Sequence, residues 1–205
     1  MIKYVPTIKI HPIIVIFLLI AFITGTFIEI FTIISIVFFH ELGHFFAARF
    51  FNWRVLHIKL WIFGGVLQTE EHSFRPLIEQ AIVALAGPFQ HVYIYIAIFL
   101  CSYFQLLPSY LLQVIFMYNT IILLFNLLPI WPLDGGKLLF ILLSLLLPYR
   151  YAHEWTIKFS IVLAIVILFL QIFYFPFTLS ASLIFMFILL ENWSEWKERF
   201  FIFLR

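Results

Sequence analysis

The chain has 205 residues, of which 65% are hydrophobic and only 11% charged, with a formal net charge of +2. Soluble globular domains carry about 25% charged residues, so this composition belongs to a chain that packs mostly against lipid. The small net charge excludes a nucleic-acid surface, and the single Cys101 excludes an internal disulfide.

A spanning helix needs about 20 apolar residues, and six segments meet or approach that length: 12–25, 28–50, 76–104, 109–147 with an interruption, 155–175 and 177–195. The first follows Lys3 and Lys9 as a signal peptide would, but no small-residue cleavage pattern comes after it, so it reads as a retained helix. Loop charge gives an independent check, because cytoplasmic loops are rich in Lys and Arg. With the N-terminus inside, Lys3, Lys9, Arg49, Arg54, Lys59, Arg75, Arg150, Lys158, Lys197, Arg199 and Arg205 all fall on the cytoplasmic side. The opposite loops, near Gly25, Leu107 and Pro176, hold no basic residue, and only Lys137 is left over. The expected architecture is an all-α polytopic membrane protein of six transmembrane segments with both termini cytoplasmic. It forms a single domain over residues 1–205 with its core at about 28–147.

Two stretches break the helical pattern. Residues 53–72, "WRVLHIKLWIFGGVLQTEEH", partly alternate apolar and polar residues, and the Gly64-Gly65 pair marks a bend or a close backbone approach. They predict a short β-hairpin associated with the cytoplasmic face of the membrane. Residues 126–137, "NLLPIWPLDGGK", interrupt the fourth segment, where Pro129 and Pro132 remove helical donors and Gly135-Gly136 is expected to loosen the chain. Irregular backbone at membrane depth survives only where it is packed in protein or lines a wet cavity, so this stretch is expected to face a site.

Such a site is announced in the second segment, where "FFHELGHFF" places His40, Glu41 and His44 among phenylalanines. Burying an ionisable group in hydrocarbon costs roughly 2–4 kcal/mol, and three within five residues need a compensating partner. Residues four apart share a helix face, so His40 and His44 can bind one Zn2+ ion. In H-E-x-x-H the glutamate, here Glu41, is the general base. A catalytic zinc site takes three protein ligands, and the best third candidate is Asp134, the single aspartate of the chain, in the Pro/Gly interruption. The alternative for Asp134 is a helix N-cap. Asn126 either satisfies freed backbone or holds the substrate backbone, with Pro132 beside it. Gly64 and Gly65 are candidates for pairing with an extended substrate strand. Lys137 reads as a snorkelling cation, and His91 as a packing group or a partner of the metal ligands. His11, His57, His72 and His153 read as ordinary interfacial or loop histidines.

With "HELGH" at 40–44, "AGP" at 86–88 and "NLLPIWPLDGG" at 126–136, the chain resembles the site-2 protease family of intramembrane zinc metalloproteases, over roughly residues 30–145. The resemblance implies His40, His44 and Asp134 as zinc ligands and Glu41 as base. The six-segment plan and short N-terminal segment resemble the sporulation branch. That implies removal of the pro-sequence of a sporulation sigma factor, pro-sigma-K, in the membrane surrounding the forespore, under integral-membrane inhibitor proteins. A homo-oligomer is compatible with this reading and not required by it. Two departures stand out. The family's asparagine three residues after its G-P is His91 here, and the nucleotide-sensing CBS domain that usually follows the last helix in this branch is absent from the 205 residues. Other readings are a site-2 protease acting on an anti-sigma factor or a signal-peptide remnant, a membrane metal-ion carrier using the His pair, and a non-proteolytic scaffold.

Overall fold

The computed structural model describes residues 7–10, 12–61, 64–69, 75–174 and 178–202. His11, Ile62, Phe63, Glu70, Glu71, His72 and Pro176 lie outside the described residues. The chain divides into two compact units, Met1–Asn126 and Leu127–Arg205.

The first unit holds β1 (Thr7–Ile10), α1 (Pro12–Thr24), α2 (Phe27–Phe50), β2 (Val55–Trp61), β3 (Gly64–Thr69), α3 (Leu77–Tyr103) and α4 (Ser109–Asn126). Proline punctuates it. Pro12 opens α1, where its missing N–H is no loss, and Pro76 immediately precedes α3. Gly25, at φ +75°, makes the tight turn between α1 and α2. In α2 the buried residues are Thr32, Ile36, His40, Glu41, Gly43, His44 and Ala48, and the four-residue steps from Thr32 through Ile36, His40 and His44 to Ala48 mark the face that carries both histidines inward. The outer face is hydrocarbon: Phe46 and Phe50 are exposed, as expected of side chains that meet lipid.

α2 ends in a Schellman motif. Trp53 N–H donates to the Ala48 carbonyl at 2.8 Å and Asn52 N–H to that of Arg49 at 3.0 Å, with Asn52 in the left-handed region at φ 57°. This turn drives Trp53 into a small core with Ala48, Val55 and Val83, where its indole N–H donates to Glu79 Oε2 at 2.8 Å. The clamp joins the end of the histidine helix to the start of α3. Trp53→Ala should therefore lower the unfolding free energy by about 3–5 kcal/mol, read from denaturation of the detergent-solubilised protein.

The expected hairpin is present as the antiparallel pair β2 and β3, in which Leu60 pairs with Gly65 and Trp61 with Gly64. It is enlarged to a three-stranded sheet by β1, which runs parallel to β2 with Ile8 opposite Ile58. β1 alternates polar and apolar residues over only four positions, too short a run to be distinguished from the lead into α1, and so escaped the sequence reading.

The second unit holds α5 (Asp134–Ser144), α6 (Tyr149–Phe173) and α7 (Leu179–Ile202). The interrupted fourth segment is thus two helices, α4 and α5, one in each unit. Gly135 and Gly136 do not loosen the chain as expected. They form the first turn of α5, where a Cβ on either would overlap a backbone carbonyl, Leu127 or Leu128 for Gly135 and Ile130 for Gly136. Glycine is required there because the helix start lies directly on the loop before it. That loop is held at Trp131, whose N–H donates to Ser160 Oγ at 2.8 Å and whose carbonyl accepts from Asn192 Nδ2 at 2.5 Å. α6 begins at Tyr149, six residues before the expected 155, because Pro148 sets its N-terminus. His153 is no loop histidine: it is 3% exposed and stacks edge-on to Trp131 and Phe140.

Among the described residues, α2, α3, α4 and α6 are each long and apolar enough to cross a membrane.

Candidate metal centre

His40, Glu41 and His44 are all buried, and each offers a ligand atom within 4.8 Å of the others. The two imidazoles meet at an interplanar angle of 82°, with their Nε2 atoms 3.1 Å apart. Two nitrogens sharing a tetrahedral zinc at its usual bond length stand about 3.3 Å apart, so the spacing fits a common ion.

The other ring nitrogens decide what the Nε2 atoms can do. His44 Nδ1 lies 2.7 Å from the Val83 carbonyl, which can only accept, so Nδ1 carries the proton and Nε2 keeps its lone pair. Pro88, inside α3, has no N–H for the Ala84 carbonyl, the neighbour of the Val83 carbonyl that takes His44. His40 Nδ1 lies 3.1 Å from His91 Nε2. His91, 0% exposed, is the partner-type group the sequence suggested, and its Nδ1 lies 2.8 Å from Asn119 Oδ1 on α4.

α3 approaches the pair at Gly87. A Cβ there would overlap His44 Nε2 and lie 2.7 Å from His40 Nε2. The "AGP" glycine is therefore the clearance that lets the two Nε2 atoms face the backbone of α3. Gly43 plays the matching part on α2, where a Cβ would overlap the Ala86 carbonyl.

Asp134, in the second unit, is 3% exposed and opens α5. The N-cap position is Leu133, and Asp134 is the first residue of the helix. Its Oδ1 accepts from Lys137 Nζ at 2.9 Å, so Lys137 forms an ion pair rather than snorkelling alone. Asn126 Nδ2 donates to the Ile122 carbonyl at 3.0 Å and so satisfies the end of its own helix. Pro132 is exposed in the loop before α5. Gly64 and Gly65 open β3, whose far edge has no strand partner among the described residues. Asn119 was missed from the sequence, although an asparagine inside an apolar helix is itself a signal that something polar must face it.

The donor set suits zinc: two imidazoles whose Nε2 atoms face each other, and a carboxylate within 4.8 Å of them. Comparison with known proteins agrees. Residues 28–108 and 105–170 match the model of Peptidase family M50. The chain is 37% identical over 198 residues to Stage IV sporulation protein FB of Bacillus subtilis, covering 97% of this chain and 69% of that protein. It is 34% identical over 103 residues to "Putative zinc metalloprotease sll0528" of Synechocystis sp., covering 49% of this chain and 27% of that protein. In fold it is similar to the site-2 protease from Methanocaldococcus jannaschii, with a TM-score of 0.73 at 22% identity over 96% of this chain and 94% of that one. An H-E-x-x-H helix with both imidazoles turned to one point, in a chain matched from 28 to 170, belongs to Peptidase family M50, the site-2 protease family of zinc metalloproteases.

Proposed function

We propose that the chain is an intramembrane endopeptidase in which His40, His44 and Asp134 hold one zinc ion, Glu41 is the general base, and the substrate is the pro-sequence of a sporulation sigma factor. The observation that supports the metal is the 3.1 Å approach of the two Nε2 atoms, with His44 Nδ1 committed to the Val83 carbonyl. A cation held between two Nε2 lone pairs accounts for this spacing. Asp134 as third ligand is supported by its burial at 3% and by the need for a third protein ligand in a catalytic zinc site.

Zinc, when bound, supplies Lewis-acid polarisation to the scissile carbonyl and the attacking water. Glu41 takes the proton of that water as it attacks and returns it to the departing amine. A substrate helix has its amides already bonded and must unwind to present a carbonyl. The edge of β3 at Gly64 and Gly65, which has no strand partner among the described residues, offers main-chain groups to the unwound strand. Asn126, the last residue of α4, and Pro132, in the loop before α5, are the other candidate contacts of the substrate backbone.

Six crossings with both termini cytoplasmic are supported by the loop charges, since eleven of the twelve basic residues fall on one side. The sigma-factor substrate, the membrane around the forespore and regulation by integral-membrane inhibitors are supported by the 37% identity over 97% of the chain to a sporulation protein.

The test is zinc content together with cleavage of a pro-sigma-type substrate co-expressed in the same membrane. The parent should hold one zinc per chain and cleave, whereas Asp134→Ala should lose both. Full zinc in Asp134→Ala would remove Asp134 from the coordination sphere. Zinc bound without cleavage of the sigma precursor, but with cleavage of a membrane-anchored anti-sigma factor, would reassign the substrate.

A further inference from the structure

The His91–Asn119 pair lies outside the H-E-x-x-H helix, yet its hydrogen bonds run in one direction only. Asn119 Nδ2 donates to the His91 main-chain oxygen at 3.3 Å. A carbonyl cannot donate, so this bond fixes which end of the amide is which, and Oδ1 is the atom 2.8 Å from His91 Nδ1. His91 Nδ1 therefore carries the proton. In a neutral imidazole the other nitrogen must then accept, and His91 Nε2 lies 3.1 Å from His40 Nδ1. The donor across that gap is His40 Nδ1–H, which leaves the lone pair of His40 on Nε2, the atom turned toward His44.

We infer that His91 and Asn119 form a positioning relay that locks His40 in its metal-accepting tautomer. The inference rests on His40 being a zinc ligand, as proposed above. The relay also blocks a competing arrangement. Without an acceptor at His40 Nδ1, the proton could move to His40 Nε2 and be donated to His44 Nε2 across the same 3.1 Å. The two ligands would then satisfy each other and turn neither lone pair to an ion. His44 is protected from the reverse arrangement by the Val83 carbonyl. Both relay residues are 0% exposed, so water does not substitute for either acceptor.

The experiment uses the full chain in detergent, labelled with 15N at histidine. Zinc affinity is measured by competition with a chelator, and imidazole tautomers are read from the nitrogen spectra of the zinc-free protein. His91→Phe keeps the ring and loses the acceptor, and should weaken zinc about 10–100-fold, the usual effect of removing a ligand's hydrogen-bond partner. His91→Gln offers an amide oxygen near the position of Nε2 and should restore most of the affinity. Asn119→Leu, which frees the His91 tautomer without touching His40, should act in the same direction as His91→Phe and provides the reading if that variant does not fold. In the parent spectrum His40 should be protonated at Nδ1, and in the two weakened variants that population should fall. Parent-like affinity and an unchanged His40 tautomer in His91→Phe or Asn119→Leu would overturn the relay, as would a His91→Gln variant no tighter than His91→Phe. Parent-like zinc binding by His40→Ala would instead overturn the ligand assignment beneath it.

Discussion

Glu41→Gln is expected to hold zinc as the parent does and to lose cleavage by roughly 10²–10⁴-fold, the contribution of a positioned general base. Glu41 is 6% exposed and adjoins His40, and its carboxylate is close enough to the imidazoles to be mistaken for a third ligand. Glutamine has the same shape and keeps a carbonyl oxygen, but it cannot take up a proton from water at neutral pH. The variant thus separates the two roles open to this carboxylate. If Glu41 binds the metal, zinc content measured by elemental analysis falls together with activity. If it is the base, metal stays and turnover goes. Asp134→Ala should give the opposite pattern in the metal assay, and together the two variants assign the carboxylates without a metal-bound structure.

Gly87→Ala should abolish zinc binding through a single added methyl group. The new Cβ would overlap His44 Nε2 and lie 2.7 Å from His40 Nε2, on the side where the lone pairs converge. These are ring atoms of two buried side chains in adjacent turns of one helix, so neither can yield without breaking its Nδ1 hydrogen bond. Overpacking a tight core costs about 1–3 kcal/mol. The main loss, however, should be functional: zinc stoichiometry near zero and no measurable cleavage, in a protein that still unfolds cooperatively. Retention of zinc by Gly87→Ala would show that α3 moves away from α2 more readily than the packing at Gly43 against Ala86 implies.

The chemistry of this site was legible in the sequence because it depends on a local spacing. A four-residue step on a helix brings two imidazoles together whatever surrounds them, and His40, Glu41 and His44 required no tertiary information. The long apolar helices were equally legible, since lipid rewards the same pattern along their whole length. Contacts between helices were not. Val83 contributes a main-chain carbonyl, which leaves no mark on residue identity. Asn119 contributes an amide whose partner lies 28 positions away, and His91 could be suspected of a supporting role but not oriented. Gly135 and Gly136 were misread because glycine permits both looseness and close approach, and only the loop carbonyls packed on them distinguish the two. β1 was missed because a four-residue strand acquires its meaning only from the strand beside it.

The two histidines are held in unequal ways. His44 leans on main chain, and every L-amino acid at position 83 brings the same oxygen, so few mutations can detune it. His40 leans on two side chains that each depend on a codon. Variation in metal affinity among descendants of this protein is therefore expected to arise at 91 and 119, giving selection or an engineer an adjustable imidazole beside a fixed one.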